Sequence, residues 1–436
     1  MKKAIYFRLI ALLIPFIVFS QNKKDIKSYV PELTKTYKFL HEHPELSYFE
    51  NNTAKLLAKK MRSFGYKVTE NFGGTGIVAI MKNGKGPKIL IRTDMDALPI
   101  LEKTGLPYAS KVRQKDVDGI ERPVMHACGH DMHMTVWLGT ARYLAEHKNE
   151  WKGTVMMIGQ PAEERGGGSD AMLKAGLYEK FFVPDYGIAL HISSGAPAGT
   201  IAYCPGYAMA NVDMAQIKFI GQGGHGAYPH KTIDPIAMSA QFISDLQNIV
   251  SREIAPVDPA VITVGSIHGG TKGNIIPTEV DMELTIRSYK DNVRNHLLKA
   301  IQRKANAVAE SFRVPKEKYP VLKLRDTYTP ALYNDPKLVD RIVTGFESYF
   351  GKDKIFKTEP TMGGEDFSRY GKTKEKVPVF MYFLGTVNMG KYLAYKKENK
   401  TLPSLHNDKV VLDPEPSIET GVSAMSNAVI NLTTRK

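Results

Sequence analysis

Five short apolar runs, "TGIVAIM", "KILIRT", "GTVMMIG", "YGIALHI" and "VPVFMYFL", are spaced along the chain, with helical patterns such as "MTVWLGTARYLAEH" between them. Strand-like runs that alternate with stretches of helical period imply a largely parallel sheet layered by helices, so the expected class is α/β. Two further helical stretches, "IKSYVPELTKTYKFLHEHPE" and "ENNTAKLLAKKMRSFGY", precede the first run, and Gly65 reads as the stop of the second. From about Met209 to Asp326 the rhythm changes to strand, helix, strand, strand, helix, strand. That order, β-α-β-β-α-β, is the ferredoxin-like pattern. The α/β alternation then resumes and closes with a last helix, "SIETGVSAMSNAVINLTT". The expected layout is a leader at 1–20, a main domain in two parts at 21–208 and 327–436, and an inserted domain at 209–326. A chain of 436 residues with 43% hydrophobic content has ample material for two or three such domains.

The leader, "MKKAIYFRLIALLIPFIVFSQNKKD", combines a basic start (Lys2, Lys3, Arg8), an apolar run from Leu9 to Phe19 and a small-residue junction near Ser20. This is the pattern of a cleaved signal peptide, too short to span a bilayer comfortably, and no Cys follows it for a lipid anchor. The expectation is therefore export, to the periplasm or beyond, without stable membrane insertion. Export favours disulfides, yet the only cysteines are Cys128 and Cys204, in dissimilar contexts with no hint of pairing. The formal charge is +14, three of it in the leader, but the lysines are scattered and not gathered with interleaved aromatics. A solvated basic surface is expected and no nucleic-acid partner.

Four polar clusters follow strand ends or open a helix. "KILIRT" leads to Asp94 and Asp96, "GTVMMIG" to Glu163 and Glu164, and "YGIAL" to His191, while "MHACGHDMHMT" carries Cys128 and His130 into a helix. Open α/β sheets bind ligands beyond the carboxyl ends of their strands, so these groups are expected to converge. Thiolate, imidazole and carboxylate together suit zinc or a similar first-row ion, and a helix starting at His130 adds partial positive charge that favours thiolate at Cys128. Taken alone, "CGH" fits a buried structural cysteine equally well. Asp94 and Asp96 could ligate, orient an imidazole or cap a turn, and Asp96 is given a supporting role.

Successive side chains of an extended segment point opposite ways. Glu163 and Glu164 are therefore expected to serve different partners, one a metal and the other the substrate. The carboxylate left off the metal can take a proton from attacking water and return it to a leaving nitrogen. The competing reading is a solvated acidic turn with Arg165 as a casual ion pair. In the inserted domain His225, Asn274 and Arg287 lie on loops or a strand end. A His, an amide and an Arg there could polarise a carbonyl and hold a carboxylate. "TMGGEDFSRY" adds Glu365 and Asp366, and "LPSLHND" adds His406, an imidazole that a two-metal site could use.

Taken in order, "HEHPELSYFE", "IRTDMDALPI", "MHACGHDMHMT", "GQPAEERGGG", "GGHGAYPHKTIDPI", "VGSIHGGTKGNIIPTEVDMELTIRSY" and "MGGEDFSRY" resemble the M20 metallopeptidases. The closest branch is the amidohydrolases that include hippurate hydrolases, N-acyl-amino-acid deacylases and auxin-conjugate hydrolases. The resemblance covers nearly everything after the leader. It implies a two-metal α/β catalytic domain with a ferredoxin-like lid through which the protein forms a homodimer. It also implies two divalent ions per subunit, zinc or manganese, with cobalt or nickel as alternatives. The ligands it implies are Cys128, bridging, with His130, Glu164, His191 and His406. Glu163 would be the general base, Asp96 its support, and His225, Asn274 and Arg287 the substrate-binding residues of the lid. One departure stands out: "GKYLAYKKENKTLPSLHND", before His406, is long and basic where the family has a short approach. The function expected is removal of an acyl group from an N-acyl amino acid, hippurate-like or N-acetylated. A dipeptidase or carboxypeptidase of the same family is the nearest alternative. A binding protein for peptides or polyanions is the alternative of another class, opposed by a carboxylate that a mere binder has no need of.

Overall fold

A computed structural model describes residues 25–325 and 328–434, so the expected leader lies outside the described residues. The chain divides into two compact units. One comprises the residues up to Gly206 with Tyr333–Glu359 and those from Arg369 onward; the other comprises Tyr207–Leu332 with Pro360–Ser368.

The first unit is built on an eight-stranded mixed sheet. Its strands are β1 (Lys67–Thr69), β2 (Ile77–Asn83), β3 (Lys88–Asp94), β4 (Gly153–Gln160), β5 (Tyr186–Pro197), β6 (Ile201–Tyr203), β7 (Ile355–Lys357) and β8 (Val379–Val387). The spatial order is β1-β2-β4-β3-β5-β8-β6-β7. The four central strands, β4, β3, β5 and β8, run parallel. These are four of the five apolar runs, and they are buried along most of their length, as a strand covered by helices on both faces must be. The helices of nine residues or more are α1 (25–42), α2 (Asn51–Ser63), α3 (His130–Glu146), α4 (Pro336–Phe350), α5 (Met389–Lys397) and α6 (Pro414–Thr433). Helix α2 ends at Ser63, and Gly65 with φ +86° makes the turn that lets Tyr66 N–H reach Met61 O. Helix α3 is buried on every side, so its apolar residues do not confine themselves to one stripe. It packs closely on α6: a Cβ on Gly139 would lie 2.5 Å from Val422, and one on Gly421 would lie 2.6 Å from Val136.

The second unit carries a four-stranded antiparallel sheet in the order Ala260–His268, Glu279–Ser288, Asn211–Ile220, Lys323–Leu324. Helices Pro235–Asn248 and Asp291–Ser311 bury Phe242, Leu246, Leu297 and Ile301 against Phe219, Met282 and Leu284. The inner strand Glu279–Ser288 alternates buried Val280, Met282, Leu284 and Ile286 with outward Glu279, Asp281, Glu283, Thr285 and Arg287, as a sheet with one solvated face does. Among the described residues, the stretch expected to form a full last strand is laddered at Lys323 and Leu324, with Arg325 N–H adding a bond to Met214 O at 3.0 Å. Among the described residues no helix is long and apolar enough to cross a membrane.

Candidate metal centre

Strands β3 and β4 end level with each other, Asp94 opposite Gln160. The chain leaving β3 then pairs Leu98 with Met125 through two hydrogen bonds of 3.0 Å, which draws the segment before α3 alongside Asp96. Gly129, at φ +79°, turns the chain into α3, whose first residue is His130. His191 lies within β5 and not beyond it, because the strand runs on to Pro197. His406 arrives on the long basic segment, held by its N–H to Ala127 O at 2.9 Å and with φ +63°.

These elements bring five side chains into one cluster. Cys128 Sγ lies 3.5 Å from His191 Nε2 and 3.3 Å from His406 Nε2. Glu164 Oε1 lies 3.5 Å from His406 Nε2 and 3.8 Å from His130 Nε2. The potential ligand atoms fall into a triad of Cys128, His130 and His191 and a triad of Cys128, Glu164 and His406, each spanning less than 4.8 Å. Cys128 belongs to both, the position of a shared ligand. Outer partners orient the rings: His130 Nδ1 is 2.8 Å from Asp96 O, and His191 Nδ1 is 2.8 Å from Ile192 O. A carbonyl can only accept, so in the neutral rings each Nδ1 carries the proton and each Nε2 presents its lone pair inward.

The residues fit a metal. His130 Nε2 and Glu164 Oε1 are buried and have no hydrogen-bond partner. Unpartnered buried polar atoms cost about 1–3 kcal/mol each, so two beside a thiol and two more imidazoles call for an ion. A donor set of S, N and O suits zinc or another first-row divalent ion.

The expectation that strand alternation would send Glu163 and Glu164 to different sides is corrected by the backbone. Residues Glu163–Gly166 form a turn, not an extended segment, and Ala162 before them has φ +47°. Both carboxylates consequently face His130 Nε2, Glu163 at 4.0 Å and Glu164 at 3.8 Å. The turn is tight: Gly167 and Gly168 both donate to Ala162 O at 3.2 Å, and a Cβ on Gly168 would collide with Pro161 O. Asp96 organises it from below. Its two oxygens accept the N–H groups of Glu163 (3.1 Å) and Glu164 (3.0 Å), and Ser47 Oγ donates to it at 2.6 Å. Asp96 is fully buried and faces no open space.

Charge is arranged to match. Burial works against ionisation of Asp94, but the Arg92 guanidinium and the imidazoles of His130 and His133 hold it well below the usual carboxylate range. Burial likewise opposes the His130 imidazolium, and Asp94 with Asp96 outweighs it, raising that pKa well above normal. The expected thiolate at Cys128 is a second correction. Burial first, and then the nearby Glu164, push this thiol well above its ordinary value. The start of α3 does not offset that, so in the metal-free protein Cys128 is a thiol that must release its proton to ligate.

Some contributors escaped sequence reading. His133, one helical turn after His130, accepts the N–H of Ile192 at 2.9 Å and takes Asp94 Oδ1 on its other nitrogen at 2.7 Å. Burial lowers its pKa to about 4, which keeps the ring neutral and able to accept. Its i, i+3 spacing from His130 was the available signal. Glu50 and His41 lie in the "HEHPELSYFE" segment, far away in sequence, and only the fold brings them close.

In the second unit, His225 Nδ1 accepts Ala227 N–H at 3.0 Å, so the neutral ring carries its proton on Nε2 and can donate outward. Asn274 O accepts Gly226 N–H at 2.8 Å, tying the His225 and Asn274 loops together. Arg287 is partly buried, donating to Thr285 Oγ1 at 3.1 Å and Met362 O at 2.9 Å. Burial lowers its pKa somewhat, but a guanidinium stays charged, and among the described residues it has no carboxylate partner. Glu365 and Asp366 are both buried. Neither Cys128 nor Cys204 forms a disulfide.

Comparison with known proteins supplies the lineage. Residues 90–429 match the family model described as Peptidase family M20/M25/M40. The chain is similar to Thermostable carboxypeptidase 1 of Saccharolobus solfataricus, 38% identical over 377 residues, covering 86% of this chain and 90% of the relative. It is similar to Hippurate hydrolase of Campylobacter jejuni, 36% identical over 353 residues, covering 80% and 88%. Among solved structures it resembles the Bacillus subtilis YXEP protein, a dinuclear metal binding peptidase from the M20 family. That match has a TM-score of 0.73 and 30% identity and covers 94% of this chain and all of that one.

Proposed function

We propose, for a chain that belongs to peptidase family M20/M25/M40 and is a metal-dependent hydrolase of amide or peptide bonds, that its substrates are N-acyl amino acids with a free carboxylate. The observation that carries this reading is Glu163. It stands beside the cluster as a second carboxylate within 4.0 Å of His130, surplus to the two triads that share Cys128. We assign Cys128, His130, Glu164, His191 and His406 to two divalent ions, with zinc or manganese fitting their donor atoms. When bound, such ions polarise a carbonyl and acidify water. Glu163 takes the proton of the attacking water and delivers it to the departing nitrogen. Asp96 fixes the backbone under both glutamates and so keeps Glu163 in its place. His225, donating through Nε2, and Asn274 are assigned to the substrate carbonyl, and Arg287 to the substrate carboxylate. The leader pattern supports export, to the periplasm or beyond.

A carboxypeptidase reading is favoured by one observation, the 38% identity to a relative named for that activity. A single panel separates the two. Leader-less protein, loaded with Zn or Mn and then chelated, is given hippurate, N-acetyl amino acids and dipeptides. The expected result is chelator-sensitive hydrolysis, restored by metal, in which N-acyl amino acids lead. Faster cleavage of the peptides would reverse the assignment. Glu163→Gln should retain its ions and lose about 10²–10⁴-fold in turnover. Loss of the ions instead would make Glu163 a ligand.

A further inference from the structure

Three successive backbone N–H groups, those of Ala162, Glu163 and Glu164, each end on a buried carboxylate oxygen. Asp96 accepts the latter two. The first goes to Glu50 Oε1 at 2.8 Å. Glu50 is fully buried just ahead of α2, and Tyr48 N–H at 3.0 Å and Thr75 Oγ1 at 2.6 Å complete its hydrogen bonds. Ala162 is the residue that needs holding. With φ +47° it occupies the left-handed region that a residue with a Cβ disfavours, at a cost of about 1 kcal/mol or more. Its conformation breaks the strand direction of β4 and turns both glutamates to one side. A strained residue persists only where its surroundings over-determine it, and the Glu50 carboxylate is the side-chain acceptor that does so here.

We infer that Glu50 is a positioning residue, whose reach to the Ala162 amide sets the turn that presents Glu163 and Glu164. The inference rests on the function proposed above for those two glutamates. What matters is an acceptor at the right distance, not a negative charge. Burial and the nearby Asp96 already push Glu50 up to about 7. In a protonated acid or an amide, Oε1 still accepts from Ala162, while the other arm can donate to Thr75 Oγ1 instead of accepting. Shortening the side chain by one methylene keeps the charge and withdraws the acceptor.

Two conservative variants separate these effects. Glu50→Gln keeps reach and loses charge; Glu50→Asp keeps charge and loses reach. Each is measured for kcat, KM, bound metal and, in chelated protein, amide hydrogen exchange of the peptide spanning residues 160–168. For Glu50→Asp the expected result is faster exchange in that peptide, weaker retention of metal because Glu164 rides on the same turn, and, at saturating metal, a kcat lower by about 10–100-fold with KM little changed. Glu50→Gln should stay within about threefold of wild type in both exchange and kcat. Unchanged exchange or unchanged kcat in Glu50→Asp would overturn the inference, and so would an equal loss in Glu50→Gln. If the wild-type protein hydrolyses no N-acyl amino acid, the substrate reading fails, while the exchange comparison still decides the part played by Glu50.

Discussion

His41 is held between two acids, with Nδ1 2.7 Å from Asp131 and Nε2 3.1 Å from Glu102, and it is almost wholly buried. Burial alone would lower its pKa, but the hydrogen bonds and charges of Asp131 and Glu102 prevail and raise it to about 10. The imidazolium joins α1 to the residue after His130 and to the loop bearing Glu102, so it braces the floor of the centre without touching it. A histidine whose folded pKa exceeds its unfolded value adds stability that is full below the unfolded pKa and fades as pH rises through the folded one. For metal-free protein, stability should therefore decline between pH 6.5 and about 10, and His41→Leu should flatten that part of the profile. Removing the cation leaves two buried acids without their partner, so the same variant should cost about 3–5 kcal/mol at neutral pH. Thermal unfolding of both proteins across that range decides it: parallel profiles would mean that His41 is not charged in the folded state.

The contact of α3 with α6 sets how firmly His130 is seated. Where the two helices cross, Gly139 faces Val422 and Leu33, and Gly421 faces Val136 and Leu384. Each glycine weakens its own helix by about 1 kcal/mol relative to alanine, and close approach of the helix axes is what offsets this. Gly421→Val has no space to enter, since both Val136 and Leu384 already stand within 3.0 Å of the position of a Cβ. We expect overpacking to cost about 1–3 kcal/mol and to shift α3. Unfolding in denaturant should show the loss, and metal affinity should fall with it because His130 opens that helix. A variant as stable as the parent would show that the helices separate freely.

At the scale of the whole molecule, the second unit leaves strand Ala260–His268 at the edge of its sheet. An edge strand presents unpaired N–H and C=O groups, and this one adds Ile267, 48% exposed. We therefore expect a homodimer made through this edge. Light scattering should give twice the chain mass for wild type, and Ile267→Pro, which removes an N–H on the free side of this strand together with the exposed side chain, should return the monomer. A monomeric wild type, or an Ile267→Pro variant that remains dimeric, would remove this edge from the interface.

The α/β class was legible before any coordinates, because buried parallel strands must be apolar throughout and their helices must carry a 3.6-residue stripe. The donor set was legible for a related reason: Cys128, His130, Glu164 and His191 stand within or beside apolar elements, where polar residues are conspicuous. His406 entered as the imidazole that a two-metal site still lacked, on a segment that departs from the family's pattern. Tertiary structure decided what periodicity cannot encode. Strand alternation parts Glu163 from Glu164, yet a left-handed Ala162 turns them together, and the acceptor that holds Ala162 lies 112 residues earlier. The helix start suggested a thiolate at Cys128, yet burial and Glu164 keep its proton on. Backbone strain, desolvation and contacts between distant segments exist only once the chain has closed on itself, and they determine which of the candidate groups can act.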